Sequence, residues 1–135
     1  MKKSLKKAIA LLLAMVSILS TAAFPASATS VTGTVGGRIG CTGSNSIDQY
    51  TATATTTASE PATVVVTLNY QYKSVITGKP SKEITKTDSN SPATRITVLL
   101  ECPSPTYYKS YKCWSNHRVS SGGLSWNKST TTNIY

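Results

Sequence analysis

The sequence predicts an all-β domain: a small antiparallel sandwich of two sheets and about seven strands ending in a hairpin, with a small open barrel as the alternative. Three observations carry this. After position 28 there are 20 threonines and 15 serines, and the threonines alternate with apolar and aromatic residues as they do on half-buried strands. Glycine and proline recur between the alternating runs at turn spacing. No run after the leader repeats its apolar residues at helical spacing.

Residues 1–28 read as a secretory signal peptide. Lys2, Lys3, Lys6 and Lys7 form a positive start, and Ala8 to Leu19 is a twelve-residue stretch without charge. That is short for a membrane-spanning helix, which needs about 20 residues. Pro25 ends it, and Ala26-Ser27-Ala28 places small residues where a signal peptidase reads, so the exported chain is expected to begin at Thr29. A cut after Ala23 fits less well. No later stretch is apolar for long enough to span a membrane, so the expected product is secreted and extracellular, and the short lysine-rich leader has a bacterial look.

The remaining 107 residues, 29–135, make one domain. Val31 to Cys41 is the first expected strand, weakened or bulged at Gly36-Gly37, and Gly40 to Ser46 reads as a turn. Gln49 to Ala58 alternates Tyr50, Ala52 and Ala54 with Thr51, Thr53 and Thr55, and Glu60-Pro61 is expected to break it. Thr63 to Val75 puts Val64, Val66, Leu68, Tyr70 and Tyr72 on one face, with Val65 the exception on the polar face. A turn at Thr77-Gly78-Lys79-Pro80 leads to a charged edge strand, Lys82 to Thr87. After a second turn, Asp88 to Pro92, Thr94 to Cys102 points Ile96, Val98, Leu100 and Cys102 to one side. Pro103 and Pro105 end it. Tyr107 to Val119 and Leu124 to Ile134 form the terminal hairpin around Gly122-Gly123, which sets Ser121 opposite Leu124 and Val119 opposite Trp126. Strand number, turn spacing and size resemble an immunoglobulin-like or fibronectin-like sandwich in architecture only, since the Cys…Trp…Cys signature of antibody domains is absent.

Cys41, Cys102 and Cys113 all fall on core-facing positions. Outside the cell an oxidised pair is the default. Spacing does not choose among the three bridges. Cys102–Cys113 is preferred because the connection between them is short and returns as a neighbouring strand. The third thiol is then buried or joins two chains as a disulfide-linked dimer; three buried reduced thiols are the alternative. A metal site is not expected, because no cysteine has a partner at ligand spacing and His117 is the only histidine.

Catalytic residues are not expected either, and no cofactor is implied. There is no Gly-x-Ser-x-Gly elbow, and Cys113 and His117 stand about 13 Å apart along a strand. The acids Asp48, Glu60, Glu83, Asp88 and Glu101 are not paired by spacing. His117 is expected to pack in the hairpin beside Trp126 or Lys128. Asn127-Lys128-Ser129 is a sequon, of consequence only in a glycosylating host.

The candidate binding face is the outer side of the hairpin. Parity places Trp114, Asn116 and Arg118 there, with Asn127 across the hairpin, Tyr108 on the same parity and Lys112 adding charge. An exposed Trp beside Arg and Asn is the composition of a contact site for a glycan or protein loop. The part after residue 28 keeps ten of the fourteen Lys and Arg residues and all five acids, a formal charge of +5. Scattered basic residues favour anionic surfaces and argue against nucleic acid. The expected function is a secreted, non-catalytic extracellular module, binding or structural, that contacts a cell surface, glycan or anionic wall polymer. The alternative is a bacteriocin-like effector acting on the envelope of competing cells.

Overall fold

The computed structural model describes residues 27–134. The leader therefore lies outside the described residues, apart from Ser27 and Ala28, which open the first strand. Six strands follow in order: β1 Ser27–Val35, β2 Ile39–Ile47, β3 Thr51–Ser74, β4 Ile84–Glu101, β5 Tyr108–Ser121 and β6 Leu124–Asn133. All pairings are antiparallel, in the order β1-β2-β3-β5-β6, with β4 on the other edge of β3.

The long strand β3 organises the molecule. Its first half pairs with β2 through Ala58, and its second half pairs with β5 from Thr63. Between them the chain bends, and the β3–β4 ladder slips register between Thr57 and Val64. The bend folds β3 back so that Ala52 and Tyr70, far apart in the strand, share one apolar cluster. The β2–β1 and β5–β6 arms thus face each other, and β1 meets β6. No backbone ladder closes that seam among the described strands; Thr29 Oγ1 donates to the Thr131 carbonyl at 3.1 Å and lies 2.9 Å from Thr132 Oγ1. The result is a nearly closed six-stranded barrel. The strand order does not support the immunoglobulin- or fibronectin-like sandwich; the small barrel fits.

Three departures from the sequence reading concern where strands begin and end. Glu60-Pro61 bends the strand without breaking it. Pro61 lies between the end of the β2 ladder and the start of the β5 ladder, where its missing N–H disturbs no pair. The inward parity runs straight through, from Ala52, Ala54, Thr56 and Ala58 to Ala62, Val64, Val66, Leu68 and Tyr70. Likewise Pro92 falls in the register slip between Asn90 and Ala93, so the two expected strands Lys82–Thr87 and Thr94–Cys102 are one strand, β4. Finally, Gly36 and Gly37 adopt φ of 59° and 69° and form a tight β1–β2 hairpin, so the expected turn at Gly40–Ser46 is strand β2.

The interior has two apolar clusters with a polar belt between. At the end where β3 starts and finishes lie Ile47, Ala52, Val66, Leu68, Tyr70 and Val98. At the bend end lie Val35, Ile39, Val64, Val119 and Trp126. Bulky residues of the β5–β6 hairpin fit against glycines of the facing arm. A Cβ on Gly33 would stand 2.1 Å from Trp126 Nε1, and one on Gly43 would stand 2.3 Å from His117 Cγ. The C-terminal hairpin has the register expected, with Ser121 opposite Leu124 and Val119 opposite Trp126, and both turn glycines at positive φ.

All three cysteines are buried free thiols, which corrects the preferred Cys102–Cys113 bridge. Each thiol is turned to a different carbonyl: Cys41 to Ile39, Cys102 to Tyr108 and Cys113 to Ser46. Burial raises all three thiol pKa values, that of Cys113 to about 12. A disulfide-linked dimer has no exposed thiol to form through.

Candidate functional site

The outer face of the β3–β5–β6 sheet brings together five of the six residues singled out from sequence. On β5, Trp114, Asn116 and Arg118 point outward in a row. Register sets them opposite Thr131, Ser129 and Asn127 of β6, and opposite Asn69, Thr67 and Val65 of β3. Lys112 continues the row, its Nζ 5.1 Å from the centroid of the Trp114 ring, within cation–π reach. Ser129 Oγ donates to Asn116 Oδ1 at 2.7 Å, and Asn127 Nδ2 donates to Ser125 Oγ at 3.2 Å. Asn69 Nδ2 donates to the Trp114 carbonyl, which ties β5 to β3 beneath the indole. These bonds hold the two amides against neighbouring side chains of the sheet.

Tyr108 does not belong to this face. The β3–β5 ladder slips between Gln71 and Tyr72, and Tyr111 is the extra residue. A single inserted residue turns every following side chain to the other side. Tyr108 therefore joins buried Ser110 on the inner parity and packs edge-on against Tyr72, ring centroids 4.9 Å apart.

A shallow groove of about 360 Å³ runs along the face, lined by Val65 and Thr67 of β3, by Asn116, His117 and Arg118 of β5, and by Asn127, Lys128 and Ser129 of β6. Val65 and Thr67 come from β3 and were not among the expected site residues. The signal for Val65 was present, since it is the apolar exception on an otherwise polar strand face. The only ion pair among the described residues is Arg38–Glu60, at 2.8 Å. Arg118 is exposed, and its guanidinium is not neutralised by a carboxylate.

Comparison of the chain with protein-family profiles, curated proteins and solved structures finds no match.

His117 sits on the other side of β5, inside the barrel, with 1% of its surface exposed. Its Nδ1 lies 2.8 Å from Thr56 Oγ1 and its Nε2 2.9 Å from Thr130 Oγ1. It is opposite Lys128 in register, as expected, but its ring packs on Gly43 and the two threonines. Asn45 extends this belt, donating to the Thr130 carbonyl at 3.2 Å and accepting from Thr132 Oγ1. Burial lowers the imidazole pKa from 6.5 to about 4, so the ring is neutral at ordinary pH. No group of three or more His, Cys, Asp or Glu residues converges as metal ligands would among the described residues.

Proposed function

We propose that the chain is an exported, non-catalytic module that binds a cell-surface glycan or anionic wall polymer through the outer face of β3, β5 and β6. The observation that carries this reading is that the Asn116 and Asn127 amides and the un-neutralised Arg118 guanidinium line one groove, with the half-buried Trp114 on the same outer face of β5. A ring face stacks on a sugar, amides and hydroxyls bond to its oxygens, and a guanidinium attracts phosphate or carboxylate. The residues sit on a hydrogen-bonded sheet, so little ordering cost opposes binding. The imidazole of the one histidine is enclosed between two threonines inside the barrel, with 1% of the residue's surface exposed, which supports a non-catalytic role. The leader supports export.

Sedimentation with isolated bacterial cell wall tests the proposal. The protein is expected to co-sediment. Trp114→Ala and Arg118→Ala are each expected to weaken retention about tenfold, without change in melting temperature. Retention unaffected by both substitutions would refute the assignment of the face.

A further inference from the structure

The end of the barrel where β3 starts and finishes carries a second surface, distinct from the groove. Five large apolar side chains are exposed among the described residues, and three of them gather here: Val75 at 49%, Ile76 at 77% and Tyr107 at 55%. Val75 and Tyr107 are adjacent, since the Val75 amide donates to the Tyr107 carbonyl at 2.9 Å and the preceding pair, Ser74 and Tyr108, is in register. Ile76 stands at the tip of the turn that follows β3. That turn is tied by Ser74, whose Oγ accepts from the Ile76 and Thr77 amides and whose carbonyl accepts from Gly78. The apolar tip is thus presented on a fixed scaffold.

Lysines ring the tip. Lys79 and Lys82 are exposed beside it, and Lys73 and Lys109 are half-buried and directly opposite each other across the β3–β5 ladder. Like charges in that position repel and cost stability unless an anion covers them. Lys73 Nζ lies 5.2 Å from the centroid of the Tyr111 ring. Of the connecting segments, the one following Ile76 carries a single acid, Glu83, which accepts from Thr85; Asp48 and Glu101 lie across the same end, beside Thr51. Of the tyrosines at this end Tyr107 is exposed, whereas Tyr70 is fully buried and Tyr50, Tyr72 and Tyr108 pack against the apolar cluster.

We propose that this end docks on an anionic lipid bilayer, with Val75, Ile76 and Tyr107 entering the headgroup–acyl boundary and the lysines resting on lipid phosphates. Aliphatic side chains at a tip offer nothing for a sugar ring to stack on or a polyanion to pair with, whereas they lower their free energy among acyl chains. The lysines supply charge complementarity to an anionic leaflet, and the exposed Tyr107 ring suits the interface between apolar and wet layers.

The test is sedimentation of the protein with vesicles of phosphatidylcholine, with and without phosphatidylglycerol. Binding is expected only when the anionic lipid is present. Ile76→Ser is expected to weaken it about tenfold, by loss of one buried aliphatic side chain. Lys79→Glu with Lys82→Glu is expected to weaken it by more than about tenfold, since each lysine near an anionic surface is worth about fivefold. Trp114→Ala should leave vesicle binding unchanged, which separates this surface from the groove. All positions changed are exposed or half-exposed, and unchanged melting temperatures confirm that the variants fold. Absence of binding to the anionic vesicles would overturn the proposal. So would binding that is reversed by salt but indifferent to Ile76→Ser, which would show a purely ionic contact with no insertion.

Discussion

Replacing His117 by Gln should abolish a defined part of the protein's sensitivity to acid. The imidazole is enclosed between Thr56 and Thr130, and its pKa falls from 6.5 to about 4 because burial disfavours the charged ring. In the unfolded chain the same ring takes a proton near pH 6.5. Between pH 6.5 and about 4 the unfolded state therefore binds one proton more than the folded state, so stability falls as pH falls. The contribution is fully present above the unfolded value and lost progressively down to the folded one. At about 1.4 kcal/mol per pKa unit, the loss reaches about 3 kcal/mol by pH 4. That is a large fraction of the roughly 5–15 kcal/mol that holds a domain folded. Asp48 adds a loss of its own at lower pH. Its carboxylate accepts from the Tyr50 and Thr51 amides and the Thr51 hydroxyl; burial opposes these bonds, but together they bring its pKa below 3.8. The assay is urea unfolding at a series of pH values from 7.5 to 4.5, followed by far-ultraviolet circular dichroism. The native protein should lose stability through this window with a slope approaching one proton. His117→Gln keeps a polar neutral group in the belt and should show a flat profile there, from a lower starting stability. Parallel profiles for the two proteins would refute the reasoning, because some other group would then carry the dependence.

Two further predictions concern the interior. Gly43→Ala would place its Cβ 2.3 Å from His117 Cγ and 2.8 Å from His117 Cβ, so the ring or the strand must move. The cost is expected at about 1–3 kcal/mol or more, measured by urea unfolding, whereas Gly40→Ala, whose nearest neighbour is Ser59 Oγ at 3.6 Å, should cost much less. The three thiols should be silent toward a water-soluble thiol reagent in the native protein and all react once denaturant is added. Rapid native labelling of any one would contradict the burial described.

How far the sequence reached can be judged strand by strand. Alternation at Val64 to Tyr72 and at Val98 to Cys102 is visible without a structure because a pleated strand has a period of two. The Gly122-Gly123 hairpin, with its register, was legible for a similar reason: the turn is local, and both glycines must adopt positive φ. The groove was legible in part, since Asn116 and Arg118 are on one strand, beside Trp114 on the same face, and Asn127 follows from the hairpin register. Its other wall, Val65 and Thr67, depended on knowing that β3 is the neighbour of β5.

Non-local partners decided the remainder. Whether Glu60-Pro61 breaks a strand or bends it depends on whether a neighbour needs the missing N–H at that point, and here the β2 and β5 ladders stop on either side of it. Whether Tyr108 faces out or in depends on one extra residue at Tyr111, which no local preference marks and which reverses everything beyond it. The chain alone therefore determined the class of backbone, the inward residues within each run and the final turn, because these follow from period and local φ. The tertiary structure decided how many strands there are, which face the outlying tyrosine joins and where the barrel closes, because those follow from hydrogen-bond partners distant in sequence.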